Sequence, residues 1–362
     1  MALTNVRDRE KIAVSTEKIN VYPVGSERFD LIAALLSLWI VAGLYLDGSA
    51  HHHIPDSIET FFTPWHAVLY LGFFVSAGLL LTTQFRNVSK GYSWTHALPK
   101  GYMTSLVGAV IFFFSGGGDF LWHTIFGFEV GLEALVSPTH LSLAVGGILI
   151  ISGPLRAAMH RTDGQPMEGW GKLLPAVLSL LGILSVLTFF TGDFSIITYP
   201  NFMVSRPMAD NTFYYDIQAL ASVLIPTALL MGVLLFAIRR WRLPTGSITL
   251  ILVGNGLLMT WFHLKEVYLY PQVLFGVLFA GIAADVLYGL LKPSAARVRA
   301  LRLFAFAVPA ILFALFFGVL ITTAGIWWSV HLWTGSVFLA GVVGLLLSFL
   351  THPPADLESL SS

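Results

Sequence analysis

The chain has 362 residues, of which 56% are hydrophobic and 11% charged, against roughly 25% charged in a typical soluble domain. A mean hydropathy of +0.77 excludes a soluble globular fold. The balance of 20 Lys and Arg against 20 Asp and Glu excludes a basic nucleic-acid binder, and no nucleic-acid partner is expected. The chain has no cysteine, which rules out disulfides, iron–sulfur clusters, thiolate metal sites and cysteine nucleophiles.

Residues 1–28 are polar with mixed charges, among them Arg7, Asp8, Arg9, Glu10 and Lys11. No apolar stretch with a small-residue cleavage site precedes the first span, so no cleaved signal peptide is expected. A bilayer core of ~30 Å needs about 20 apolar helical residues. Stretches that meet this run over 29–47, 65–85, 102–122, 138–158, 172–192, 215–238, 246–264, 269–291, 301–322 and 329–350. The expected fold is an all-α polytopic transmembrane bundle of about ten spans, built from repeated helical hairpins. Its expected parts are a cytoplasmic segment over 1–28, a four-helix metal-binding region over 29–160, a six-helix region over 161–352 and a cytoplasmic tail over 353–362.

Basic residues cluster in alternate loops. Of the 20 Lys and Arg, 18 lie in the N-terminal segment and the loops after spans 2, 4, 6 and 8, and Arg206 and Lys265 lie opposite. The positive-inside rule then places both termini in the cytoplasm. The protein is expected in the plasma or inner membrane, with the loops after spans 1, 3, 5, 7 and 9 on the periplasmic or extracellular side.

The first two outer loops repeat a pattern. DGSAHHHIPDSIETFFTPWH runs from Asp47 to His66, and DFLWHTIFGFEVGLEALVSPTH runs from Asp119 to His140. Each opens with Asp followed four residues later by His, Asp47/His51 and Asp119/His123. Each ends in Ser/Thr-Pro-x-His, and each has a Glu seven residues before the last His, Glu59 and Glu133. The two units start 72 residues apart, which points to a duplicated hairpin. Residues i and i+4 share a helix face, and proline is tolerated at the start of the returning helix. Each hairpin thus offers two imidazoles and one carboxylate, a set that suits Cu, Fe(II) or Zn rather than Mg or Ca. In the first unit the run His51-His52-His53 leaves the register open, with His51 or His53 as the ligand. Glu59 and Glu133 are read as outer-shell groups that accept an imidazole N–H or a proton. His263 and His331 read as interfacial or packed side chains. Gly116-Gly117-Gly118 reads as an aid to close helix packing.

The segment GGGDFLWHTIFGFEVGLEALVSPTHLSLAVGG resembles the metal-binding segment in one of the membrane subunits of the copper membrane monooxygenases, the particulate enzymes that oxidise methane or ammonia. The resemblance covers about residues 40–160. It implies copper bound by Asp47, His51 and His66 in one site and by Asp119, His123 and His140 in the other. It also implies O2 activation toward a small or lipophilic substrate, with Glu59 or Glu133 relaying protons, and partners that include other membrane subunits and a cupredoxin-type subunit. Two other functions compete. In one, the same ligands bind a metal ion in transit through a transporter. In the other, a structural subunit binds haem or pigment through His66, His140, His263 and His331.

Overall fold

The computed structural model describes residues 18–54, 61–127, 132–161, 167–197, 200–206, 208, 212–263 and 268–352. The described residues form helices and turns, with isolated bridges such as Ile19–Tyr92 in place of named strands. The helices are α1 (Glu27–His53), α2 (Pro64–Ser89), α3 (Met103–Phe126), α4 (Leu132–Val136), α5 (Pro138–Ile151), α6 (Gly153–His160), α7 (Trp170–Phe190), α8 (Asn201–Val204), α9 (Phe213–Arg240), α10 (Ser247–Phe262), α11 (Val273–Leu291), α12 (Val298–Thr323) and α13 (Val330–Thr351).

Counting α5 and α6 as one crossing, nine helices among the described residues are long and apolar enough to span a bilayer. Large apolar side chains stand on their outer surfaces, including Phe74, Phe85, Phe113, Phe114, Phe279 and Leu346. Such a surface has no counterpart on a water-soluble monomer and suits contact with lipid. The protein is an integral membrane protein.

The seventh expected span, over 246–264, is shorter than the sequence window suggests. Helix α10 has 16 residues, or about 24 Å at 1.5 Å per residue, less than the ~30 Å of a bilayer core. It starts after Gly246, whose φ of 92° is left-handed, and the backbone leaves the helix at His263. Asp285 on α11 accepts hydrogen bonds from the backbone N–H of Thr249 (2.8 Å) and from its hydroxyl (2.5 Å), which ties the two helices together.

The break between α5 and α6 follows from Pro154, which cannot donate to the carbonyl four residues before it. Side chains take over that work. The Ser105 hydroxyl lies 3.2 Å from the Ile150 carbonyl, the Ser179 hydroxyl donates to Ile151 (2.6 Å), and Arg156 donates to Leu149 (2.8 Å). Backbone groups inside a membrane must find such partners because water is absent.

A large hydrophobic core links α7 with α9–α13, and smaller clusters fill the space between α1, α2, α3 and α5. Helix α1 packs on α2 on one side and on α7 and α10 on the other. A buried polar set fixes that second contact. The Tyr45 hydroxyl donates to the Ser185 carbonyl (2.8 Å), and Asn255 donates to the Thr188 hydroxyl (2.7 Å). At the opposite end of α1, buried Asp30 accepts a hydrogen bond from Tyr102 (2.7 Å) and pairs with Arg161.

Candidate metal centres

The repeated Ser/Thr-Pro-x-His pattern is a helix start. Thr63 and Ser137 are the N-caps of α2 and α5, and Pro64 and Pro138 follow at the first helical position. Both hydroxyls accept from the backbone N–H three residues on, that of His66 (3.2 Å) and His140 (3.3 Å). Each His therefore sits in the first turn of its helix, where capping sets the chain's entry angle. The paired Asp and His come from the last turns of α1 and α3, one helical turn apart.

The two ends meet across each hairpin. In the first group, Asp47 Oδ1 lies 3.4 Å from His66 Nε2 and 3.9 Å from His51 Nε2. In the second, Asp119 Oδ1 lies 3.2 Å from His140 Nε2 and 3.6 Å from His123 Nε2. Within each group the three donor atoms lie within 4.8 Å of one another. Two N/O donors ~2.1 Å from a common ion at tetrahedral angles stand about 3.4 Å apart, so both groups have the spacing of a metal site.

Close helix crossings hold both hairpins. A Cβ on Gly43 of α1 would stand 2.7 Å from Leu69 Cα of α2. One on Gly146 of α5 would stand 2.8 Å from the Phe112 nitrogen and 2.9 Å from the Gly108 oxygen of α3. Glycine is needed where two helix backbones approach this closely. Gly116 makes room for a side chain instead, since its Cβ would stand 2.9 Å from the ring of Tyr70.

Hydrogen bonds behind the imidazoles orient them. His66 Nδ1 lies 2.6 Å from the Phe61 carbonyl and His123 Nδ1 lies 3.3 Å from the Gly127 carbonyl. His140 Nδ1 pairs with the Ser137 hydroxyl at 2.8 Å. Asp119 Oδ1 also accepts from the Thr139 hydroxyl (2.9 Å). Trp65 occupies the corresponding place in the first unit, and the buried Asp47 Oδ1 has no hydrogen-bond donor among the described residues.

The two groups are neighbours. The Phe61 ring stacks on His66, with centroids 4.9 Å apart, and lies 6.3 Å from the His123 ring. The charges of Asp119 and His140 act on both Asp47 and His51.

Six expected ligands thus come together as two triads, and in the first it is His51 that stands with Asp47 and His66. His53 lies outside the triad, with its Nδ1 2.8 Å from the Ser49 carbonyl. It stands six residues beyond Asp47, about 240° around the helix, whereas His51 stands on Asp47's face. Glu133 is exposed on α4 and makes no hydrogen bond to a site imidazole. Ser137 is the side chain that pairs with His140 Nδ1. Glu59 lies outside the described residues. Sequence reasoning missed Phe61, Gly127, Ser137, Thr139 and Tyr70. The cap hydroxyl and the Gly that ends α3 were readable signals, whereas a carbonyl partner leaves no trace in side-chain identity.

Comparison with protein-family models, with curated proteins and with solved structures gives no match in any of the three.

Proposed function

We propose that the chain is an integral-membrane copper-binding oxidoreductase, or the copper-binding subunit of a membrane monooxygenase-type complex, with a pair of Asp/His/His sites at the outer membrane face. The observation that carries metal binding is the tautomer of His66. A carbonyl oxygen only accepts, so the short contact to Phe61 requires the proton on Nδ1. In the neutral ring Nε2 then carries the lone pair, and it points at the carboxylate oxygen of Asp47, 3.4 Å away. Two electron-rich atoms in that arrangement need a proton or a metal ion between them, and the nearby His51 donor makes the group suited to a metal ion. Imidazole held from behind by a carbonyl is a recurrent feature of metal ligation.

Asp47, His51 and His66 would hold one ion and Asp119, His123 and His140 the other. Three donors per ion leave a coordination position open. Copper would supply one-electron chemistry toward O2, while the chain fixes the ligand orientation and keeps the adjoining wall apolar through Phe61. The choice of copper over non-haem iron or zinc rests on the resemblance of residues 40–160 to the monooxygenase segment, as do a cupredoxin-type partner and a small or lipophilic substrate.

The position of the donors supports a resident site over transport. They lie in the last turns of α1 and α3 and the first turns of α2 and α5, whereas transporters place coupling-ion sites near the bilayer midplane.

The decisive experiment is metal analysis of the full-length protein purified in detergent after growth with copper, together with its Cu(II) spin-resonance spectrum. Two equivalents of Cu(II) per chain with nitrogen couplings are expected in the spin-resonance spectrum, and none in an Asp47→Ala Asp119→Ala variant. A metal-free wild-type protein would refute the reading.

Sidedness has its own test, and the cysteine-free chain gives it a silent background. A cysteine at Tyr268, an exposed side chain in the α10–α11 connection, should react with an impermeant maleimide on intact cells. A cysteine at Lys90, in the connection after α2, should react only after permeabilisation. The reverse pattern would invert the topology, which needs α10 to cross as a full span.

A further inference from the structure

The helices after α6 enclose a cavity of about 30 Å³, counted as room for the centre of a water-sized sphere. One water needs about 10–15 Å³ on that measure, so the space exceeds a single water. Helices α7, α9, α10, α11 and α12 each supply part of the wall, through Leu184, Leu230, Leu252, Met259, Val277 and Leu312. All six side chains are at most 7% exposed. Two backbone features leave the space open. Gly256 contributes no side chain, and a Cβ there would stand 3.1 Å from Val277 Cγ1. Pro226 has no N–H to close its turn of α9, and the Ser222 carbonyl it leaves free accepts from the Ile196 N–H instead (3.2 Å). Thr188 and Asn255, the polar side chains on the wall, are turned to each other. Asn255 donates to the Thr188 hydroxyl (2.7 Å) and to the Ser185 hydroxyl (3.3 Å), and the Thr188 hydroxyl donates to the Leu184 carbonyl (3.0 Å). Their donors are spent on the protein, so a water in the cavity would meet acceptors but no side-chain donor. Buried waters typically make about 3 hydrogen bonds, and apolar spaces that cannot supply them stay dry and take apolar guests.

We propose that this cavity is a binding site for dioxygen, taken up from the hydrocarbon interior of the membrane. Dioxygen is uncharged, apolar and two atoms long, which matches both the lining and the size of the space. It dissolves better in hydrocarbon than in water, so the bilayer concentrates it around the helices. Among the lining residues Pro226 alone is partly exposed, and it marks the way in. On the opposite side the cavity adjoins α1. The Thr188 hydroxyl lies 3.2 Å from that of Tyr45, two residues before Asp47. One layer of hydrogen-bonded side chains thus separates the cavity from the helix that carries half of the first triad, and the gas is held beside that helix. The choice of dioxygen over another apolar gas rests on the oxygen-dependent function proposed above, whereas the apolar site itself does not.

The test is diffraction from crystals of the full-length protein pressurised with xenon, whose anomalous signal marks sites that take an apolar gas. A peak is expected between Leu184, Leu252, Val277 and Leu312. Its occupancy should fall when O2 is mixed in at several-fold higher pressure and should not fall under helium. Leu230→Phe puts a larger side chain into the space and should remove the peak. If that variant does not elute as a monodisperse species, Leu312→Phe fills the cavity from α12 in its place. Asp47→Ala Asp119→Ala should keep the peak, which separates failure of this site from failure of the metal centres. The proposal is overturned by a wild-type crystal without the peak, by an ordered water or an acyl chain in the space, or by a peak that persists in the phenylalanine variant. A peak indifferent to O2 would overturn the choice of guest.

Discussion

Replacement of His140 by alanine is expected to give a protein that inserts and purifies like wild type but carries one metal equivalent fewer. The donor it loses is the closer of the two imidazoles to Asp119, at 3.2 Å. With His140 gone, the group keeps one imidazole and one carboxylate, too few to hold a first-row ion at the membrane edge. The fold should persist because Asp119 retains the hydrogen bond from Thr139 and its approach to His123. His140 is also partly open to solvent, with 24% of its side chain exposed. Two milder variants grade the effect. Ser137→Ala removes both the N-cap of α5 and the partner of His140 Nδ1. It should cost ~0.5–2 kcal/mol of stability and ~10–100-fold in metal affinity. Glu133→Gln alters an exposed group outside the triad and should leave affinity unchanged. Metal content by mass spectrometry and a competitive chelator titration check all three. Full metal content in His140→Ala would remove the second triad as a site.

Leucine at Gly146 should be the most disruptive single change in the metal-binding region. The new Cβ would meet the backbone of Phe112 at 2.8 Å and that of Gly108 at 2.9 Å. Backbone atoms in a helix cannot rotate aside as a side-chain tip can, so α5 must move off α3. Overpacking of this kind costs ~1–3 kcal/mol or more. The same displacement carries His140 away from Asp119, so the second metal equivalent should go with it while the first remains. Gly117→Ala is the control on the same helix pair, because a Cβ there meets nothing within 4 Å. It should be neutral or stabilise by up to about 1 kcal/mol, from the better helix propensity of alanine. Thermal unfolding in detergent and metal stoichiometry read both variants. Equal melting temperatures for the two would show that the crossing is not close-packed.

The triads were legible in the sequence because two local rules set their geometry. An i,i+4 pair on a helix has one spatial meaning, and a capped Pro-x-His has one place in the first turn. The choice between His51 and His53 was also decidable in principle, since six residues from Asp47 turn the side chain away from it. What escaped the sequence was set by tertiary contact or by backbone. Phe61 and Gly127 act through their carbonyls, which every residue possesses. Glu133 is exposed on α4, and the hydroxyl that caps α5 also pairs with His140 Nδ1. His263 looked like one more interfacial side chain because its neighbours His52 and His53 lie more than 200 positions earlier in the chain. The helix over 247–262 read as a full span because a hydropathy window registers apolar side chains and not where the backbone turns out of the helix.

The division of each triad between an outgoing and a returning helix has a consequence for how the protein is made. Asp47 and His51 leave the translocation machinery on one arm and His66 on the next, and the second triad waits for α5 in the same way. Neither triad exists until both of its arms have crossed the membrane in the correct register. A metal ion captured there closes a hairpin that has already formed. If metal binds there, capture would follow insertion of α1 and α2 at the first triad and of α3 and α5 at the second.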